Sequence, residues 1–246
     1  MFIYSLLPRW VIFPSTEEGR RQIAAIFQSK FGLPDIIGAI DCTHVAIFPP
    51  VGPQGIQYKN RKGFHSLNVQ LVVDSNCKIL NINARFPGRV HDQYIFNISN
   101  IKGELQRLYT HRIGSYHLLG DSGYALEPWL MTPILNAPVN SPGDLYTQWH
   151  CKVRNCVERT NGYLKGIFRC LGHDRVLHYS PEKSSKIIYT CAALYNMMVH
   201  YRVPLTDIVQ DNVSENWGSP QDENNAQHTL QVAQRKREAI VNRYFT

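Results

Sequence analysis

Three acids stand where a strand or a helix can present them: Asp41, Asp121 and Glu158. Asp41 lies within the apolar run Gly38-Ala-Ile-Asp-Cys-Thr-His44, and a carboxylate in a buried strand is costly unless it is paired or coordinated. Asp121 follows Leu118-Leu-Gly120 and precedes the turn Ser122-Gly123, a strand end, where α/β sheets place their sites. Glu158 falls in a long helical segment. Two strand acids and one helix acid offer hard oxygen ligands of the kind Mg²⁺ or Mn²⁺ takes. At about 100° per residue, Arg154 and Lys165 share the helix face of Glu158, with Asn161 close by. Cations beside a metal-binding acid suit a phosphodiester substrate, the metal ions taking the scissile phosphate and the cations its neighbours. The same side chains also read as a solvated helix face with an i,i+4 ion pair.

The elements that must position these residues follow from periodicity. Ser15-Thr-Glu-Glu18 forms a capping box before a helix over Arg20–Phe31, stopped by Gly32-Leu-Pro34. The β-branched run Ile36–Phe48 predicts a buried strand carrying Asp41. After a Pro/Gly/basic loop, Leu67, Val69, Leu71 and Val73 alternate with polar residues as a second strand, and Ile79–Phe86 returns as a third. Asp92 is placed to cap one helix running through Leu108. Short strands are expected at Tyr116–Leu119 and Trp129–Ile134, then a long helix from about Tyr146 to Phe168. Ser180-Pro181-Glu182 starts another helix, with Ile187, Cys191, Leu194 and Met198 on one face. Leu230–Tyr244 reads as a terminal helix, preceded by a polar linker over Asp211–Gln227. These elements give an α/β layered domain, organised as residues 1–34 (helical), 35–204 (the catalytic domain) and 205–246 (polar linker and helix).

Composition narrows the partner. The chain has 246 residues and a formal net charge of +7, long enough to build a core without disulfide staples. Residues 1–204 hold 22 Lys+Arg against 13 Asp+Glu, and the remainder 4 against 6. The excess of +9 therefore belongs to the domain that carries the acids, and a polyanion is its natural partner. Six cysteines without a C-x-x-C pair read as reduced and structural. The longest apolar stretch, Ile187 to Val199, spans 13 residues, too short for a bilayer; a nuclear and cytoplasmic location is expected.

Four further features stay open. Lys59, Arg61 and Lys62, mixed with Tyr58, Phe64 and His65, read either as a nucleic-acid loop or as a solvated connection. His91 is a turn residue or a partner of the site, and Asp92 is a helix cap or a rival for the second acid. His44 faces either side of its strand.

The strings Gly38-Ala-Ile-Asp-Cys-Thr-His-Val45, Asn60-Arg-Lys-Gly-Phe-His-Ser66, Phe86-Pro-Gly-Arg-Val-His-Asp92, Leu118-Leu-Gly-Asp-Ser-Gly-Tyr124 and Tyr179-Ser-Pro-Glu-Lys-Ser-Ser185 resemble the PIF/Harbinger transposases. Within that family they look most like the domesticated, transposase-derived nucleases of animals. The resemblance runs in order over residues 15–203. It implies an RNase H-like mixed sheet, a DDE triad at Asp41, Asp121 and Glu158, and a divalent cation, Mg²⁺ or Mn²⁺, held by those three. Related transposases place an Arg four before and a Lys seven after the Glu, matching Arg154 and Lys165; their Tyr seven before it is Cys151 here. The implied reaction is two-metal hydrolysis of DNA phosphodiesters, with Lys59, Arg61, Lys62, Arg154 and Lys165 as candidate DNA contacts. Full-length relatives carry an N-terminal DNA-reading region where this chain has 35 residues before its first strand: either the sequence is a piece of a longer protein, or a separate Myb-like DNA-binding partner supplies the reading of sequence. A catalytically idle DNA-binding or interaction module, and an active transposase working with such a partner, are the alternatives.

Overall fold

The computed structural model describes residues 2–172, 174–205 and 226–246. In chain order the elements are α1 (Phe2–Ser5), α2 (Leu7–Trp10), α3 (Glu17–Phe31), β1 (Ile36–Ala46), β2 (Ser66–Val73) and β3 (Ile79–Pro87). There follow α4 (Asp92–Asn97), α5 (Asn100–Thr110), β4 (His117–Leu119), β5 (Leu130–Met131), α6 (Pro142–Ile167), α7 (Pro181–His200) and α8 (Ala226–Tyr244). The five strands form one sheet in the order β3-β2-β1-β4-β5. The first three pair antiparallel, and β1 pairs parallel with β4, as does β4 with β5.

Local chemistry accounts for the boundaries. Thr16, not Ser15, caps α3, its Oγ1 accepting from Gly19 N–H at 3.1 Å, and Gly32 ends the helix at φ +87°. Gly38 lets β1 pack between its neighbours, since a Cβ there would fall 2.9 Å from Val72 Cγ1 and 3.1 Å from Leu118 Cδ2. One core, built on Phe27, Leu71, Val153, Val157, Ile188 and Tyr195, joins the sheet to α3, α6 and α7. A second, with Ile40, Val72, Phe96, Leu105 and Leu118, joins the other face to α4 and α5.

Several expectations change. β2 is buried along all eight residues, because helices cover both faces; Asn68 and Gln70 are interior polar groups rather than solvent-side partners. The expected single helix after Pro87-Gly88 breaks into α4 and α5, since Ser99 caps a new start by accepting from Lys102 N–H at 3.2 Å. His91 occupies the cap position of α4 and Asp92 is its first helical residue, so the cap assignment of Asp92 is corrected. The strand expected at Trp129–Ile134 shrinks to Leu130–Met131. α6 begins at Pro142 behind the cap Ser141, a turn before Tyr146. On α7 the buried residues are Ile188, Ala192 and Tyr195 alongside Cys191, whereas Ile187, Leu194 and Met198 are half-buried. The Asp211–Gln227 linker lies outside the described residues, except for its last two, which belong to α8. All six cysteines are free thiols. Among the described residues no helix is long and apolar enough to cross a membrane.

Candidate active site

Strand register brings the first two acids together. Ala39 pairs with Leu119 across the parallel β1–β4 contact, and both belong to the core on the α6 side. Asp41 lies two residues further along β1, so the strand period of two points it to that same side; Asp121 lies two residues past the end of β4, in the turn that follows, and its charge acts on Asp41. β4 ends at Leu119 while β1 runs on to Ala46, which leaves the edge of β1 open where Asp41 emerges.

The Asp121 turn is held from two sides. Asp121 Oδ1 accepts from Gly123 N–H at 2.9 Å. On α6, His150 is buried, and its Nε2–H donates to Gly120 O at 2.8 Å. Burial pushes His150 down to about 4, so the ring is neutral at physiological pH; Tyr146 Oη lies 3.3 Å from its Nδ1. Neither His150 nor its link to Gly120 was legible in the sequence, where the residue is one polar position in a helix.

α6 lies across the two strand acids. Asn161 Nδ2 donates to Asp41 Oδ2 at 3.3 Å. Arg154 Nη1 stands 3.7 Å from the same oxygen, and its Nη2 donates to Glu158 Oε1. The Arg154 side chain is 14% exposed and Asp41 18%, against 46% for Glu158. Glu158 also accepts from Asn155 Nδ2 at 3.4 Å. The expected i,i+4 ion pair is thus present, but it is not a solvated face, because its arginine turns inward to Asp41.

Electrostatics mark Asp41. Burial raises it to about 8; Arg154 pulls it down, and the charges of Asp121 and Asp92 push it up. Asp92, which the sequence reading set aside as a cap, therefore belongs to the same acidic neighbourhood. Its Oδ1 accepts from buried Asn68 Nδ2 at 2.7 Å, which aims it back at the sheet. The signal that could have found it is the His91-Asp92 step directly after the Pro87-Gly88 break.

The donor chemistry, carboxylate oxygens only, is of the kind Mg²⁺ or Mn²⁺ takes, and after burial the charges of Asp121 and Asp92 add to the raising of Asp41. Among the described residues no three acidic, His or Cys side chains converge closely enough to hold an ion; the positive charge beside Asp41 is that of Arg154. Lys59, Arg61 and Lys62 are exposed on the β1–β2 connection, and Lys165 is half-buried two turns along α6 from Glu158.

No solved structure significantly matches this chain. Two relatives named "Putative nuclease HARBI1" are each 34% identical to it: that of Homo sapiens over 197 residues and that of Rattus norvegicus over 194. Each match covers 78% of this chain and 54% of the relative. "Protein ALP1-like" of Arabidopsis thaliana is 26% identical over 211 residues, 80% of this chain and 51% of that protein. The chain thus spans about half the length of the curated relatives it matches. The resemblance to Harbinger-derived nucleases is borne out, and the mixed sheet is an RNase H-like domain. Residues 40–196 match the family described as DDE superfamily endonuclease, and with well over half its length inside that match the chain belongs to this family.

Proposed function

We propose that this chain is a transposase-derived, divalent-metal-dependent DNA endonuclease, with residues 35–204 as its catalytic domain. One observation carries the reading: Asp41 lies on β1 and Asp121 two residues past the end of its parallel neighbour β4, near enough that its charge acts on Asp41, beside the helix that carries Glu158. Asp41, Asp121 and Glu158 would hold Mg²⁺ or Mn²⁺, and Asp92 adds a further oxygen donor beside them. Bound there as a pair, such ions supply Lewis acidity to a scissile phosphate and water ionised near neutral pH.

The chain's own residues prepare that chemistry. His150 fixes the Gly120–Asp121 turn and so the direction of the second carboxylate. Asn161 orients Asp41 through Oδ2. Arg154 keeps the acids from repelling one another and, once they are otherwise satisfied, turns its planar fork to the phosphate. Lys165 lies further along the same helix for a neighbouring phosphate. DNA is the proposed substrate, a Myb-like protein the proposed reader of its sequence, and the nucleus and cytoplasm the proposed location.

The test is nicking of supercoiled DNA in Mg²⁺ or Mn²⁺, abolished by EDTA and by Asp41→Asn, Asp121→Asn or Glu158→Gln. The contact between Arg154 and Asp41 favours a second reading, an idle DNA-binding module; binding without any metal-dependent nicking would select it.

A further inference from the structure

The strings Asn60–Ser66 and Phe86–Asp92, the second ending at Asp92 of the acidic neighbourhood, are clamped together beside the carboxylate site. Buried Asn60 closes the first into a turn. Its Nδ2 donates to Ser66 Oγ at 3.0 Å, and its Oδ1 accepts from Lys62 N–H at 3.0 Å and Phe64 N–H at 3.3 Å. The Asn60 N–H donates to Phe64 O at 2.9 Å, and Gly63 completes the turn at φ +89°. The tip so formed carries Arg61 and Lys62 outward.

The second string is pinned under it. Gly88 N–H donates to Ser66 O at 2.8 Å and Arg89 N–H to Gln57 O at 3.0 Å. A Cβ on Gly88 would fall 2.1 Å from Ser66 Oγ and 2.8 Å from Tyr58 O, so this approach needs glycine. Arg61 and Arg89 therefore project from two backbone segments that hydrogen bonds hold in fixed relation.

Between them opens a cleft lined by His44, Arg61, Arg89 and His91, ending at Asp92 and Gly123. Gly123 is the residue whose N–H holds Asp121, so the cleft runs directly into the acidic site. Arg61 Nη2 lies 2.6 Å from His91 Nε2 and 2.9 Å from His91 Nδ1, so the ring orients the Arg61 fork without adding negative charge. Arg61, Arg89 and His91 are exposed, as a ligand arriving from solvent requires. Guanidinium forks match phosphate oxygens, and mounting them in advance removes much of the ordering cost of binding.

We propose that this cleft is a phosphodiester subsite, where Arg61 and Arg89 hold a DNA backbone phosphate next to the one presented to Asp41 and Asp121. It rests on the nuclease reading for what happens to that neighbouring phosphate, but not for the binding itself. Both arginines are positioning residues.

The experiment is fluorescence anisotropy of a labelled DNA duplex with the full chain in EDTA, across salt from about 50 to 300 mM. The Arg61→Gln/Arg89→Gln double variant is expected to bind at least tenfold more weakly. Its salt slope should be shallower by roughly 0.9 for each lost contact. Arg61→Lys/Arg89→Lys, which keeps both charges, should recover most of the slope, separating lost contacts from a damaged fold. Unchanged affinity and slope in the Gln variant, or a wild type that binds duplex RNA but not DNA, would overturn the subsite. Should the wild type never nick DNA while the Gln variant still loses binding, the nuclease reading fails and the subsite stands.

Discussion

Arg154 Nη1 stands 3.7 Å from Asp41 Oδ2, and its other nitrogen binds Glu158, so one guanidinium answers two of the three acids that a metal ion would need. A divalent ion at Asp41 competes with that arginine for the same negative charge. Arg154→Gln should therefore tighten Mn²⁺ binding by about tenfold, equivalent to about 1.4 kcal/mol, as measured by calorimetry. Above about pH 8, where Asp41 is ionised, the same variant without metal should melt several degrees lower, since Asp41 and Glu158 lose their counter-charge, and Mn²⁺ should restore more of its Tm than in the wild type. Weaker Mn²⁺ binding in the variant would show that Arg154 supports the metal site instead of competing with it.

Metal binding should depend on pH through Asp41. Burial lifts its pKa from the ordinary 3.8 to about 8, so between those values the folded chain keeps a proton that the unfolded chain has lost. That contribution to metal-free stability is complete below about 4 and disappears as pH rises through 8. A metal ion needs the carboxylate, so binding at pH 7 should release about one proton. Affinity should then climb nearly tenfold per pH unit up to about 8 and level off above. Titrations in buffers of different ionisation enthalpy measure the proton directly; an affinity flat from pH 6 to 8 would refute the assignment.

His150 should matter without touching substrate. His150→Phe keeps a ring in the core but frees Gly120 O, and loss of such a supporting contact costs about 10–100-fold in metal affinity or activity. His150→Gln, which can still donate, should recover part of it. The folded-state pKa of about 4 for His150 lies below its unfolded value, so this histidine stabilises the fold above about pH 6.5 and loses that effect as pH falls to 4. The Asp121 turn should accordingly loosen in acid, visible as a lower protection factor against amide exchange at Gly123.

Asn196 should be the most sensitive polar residue of the core. Its Oδ1 accepts from Ile79 N–H at 2.9 Å and its Nδ2 donates to Ile79 O at 2.7 Å, a side chain standing in for a strand partner at the edge of β3. Asn196→Ala leaves two buried backbone groups unpaired, a cost of about 2–4 kcal/mol. Chemical denaturation should show the loss, and a change under 1 kcal/mol would contradict the role.

Much of this layout was legible from spacing. The apolar run around Asp41, the alternation of β2 and the Ser180-Pro181 start each map onto an element. The same Ser-Pro signal stood at Ser141-Pro142, inside a Pro/Asn/Gly-rich segment that masked it, and so α6 begins a turn early. β2 misled because its polar residues are buried on the second face, which only the packing of α4 and α5 decides. Of the candidate site, the two strand acids and the Arg154–Glu158 spacing could be read directly. His150 could not, because it acts through a partner remote in sequence, Gly120; Asp92 could be read as a rival acid, but not its anchoring by the equally remote Asn68. Arg154 was legible as a neighbour of Glu158 but not as the counter-charge of Asp41, a contact that only the crossing of α6 over β1 creates.

The most direct test of the central claim is calorimetric titration of Mn²⁺ into the wild type and into Asp121→Asn, with melting curves confirming that both are folded. Saturable binding by the wild type and loss of that binding in the variant are expected, because Asp41 then loses the charge of its neighbouring acid. Equal binding by the two proteins would contradict it.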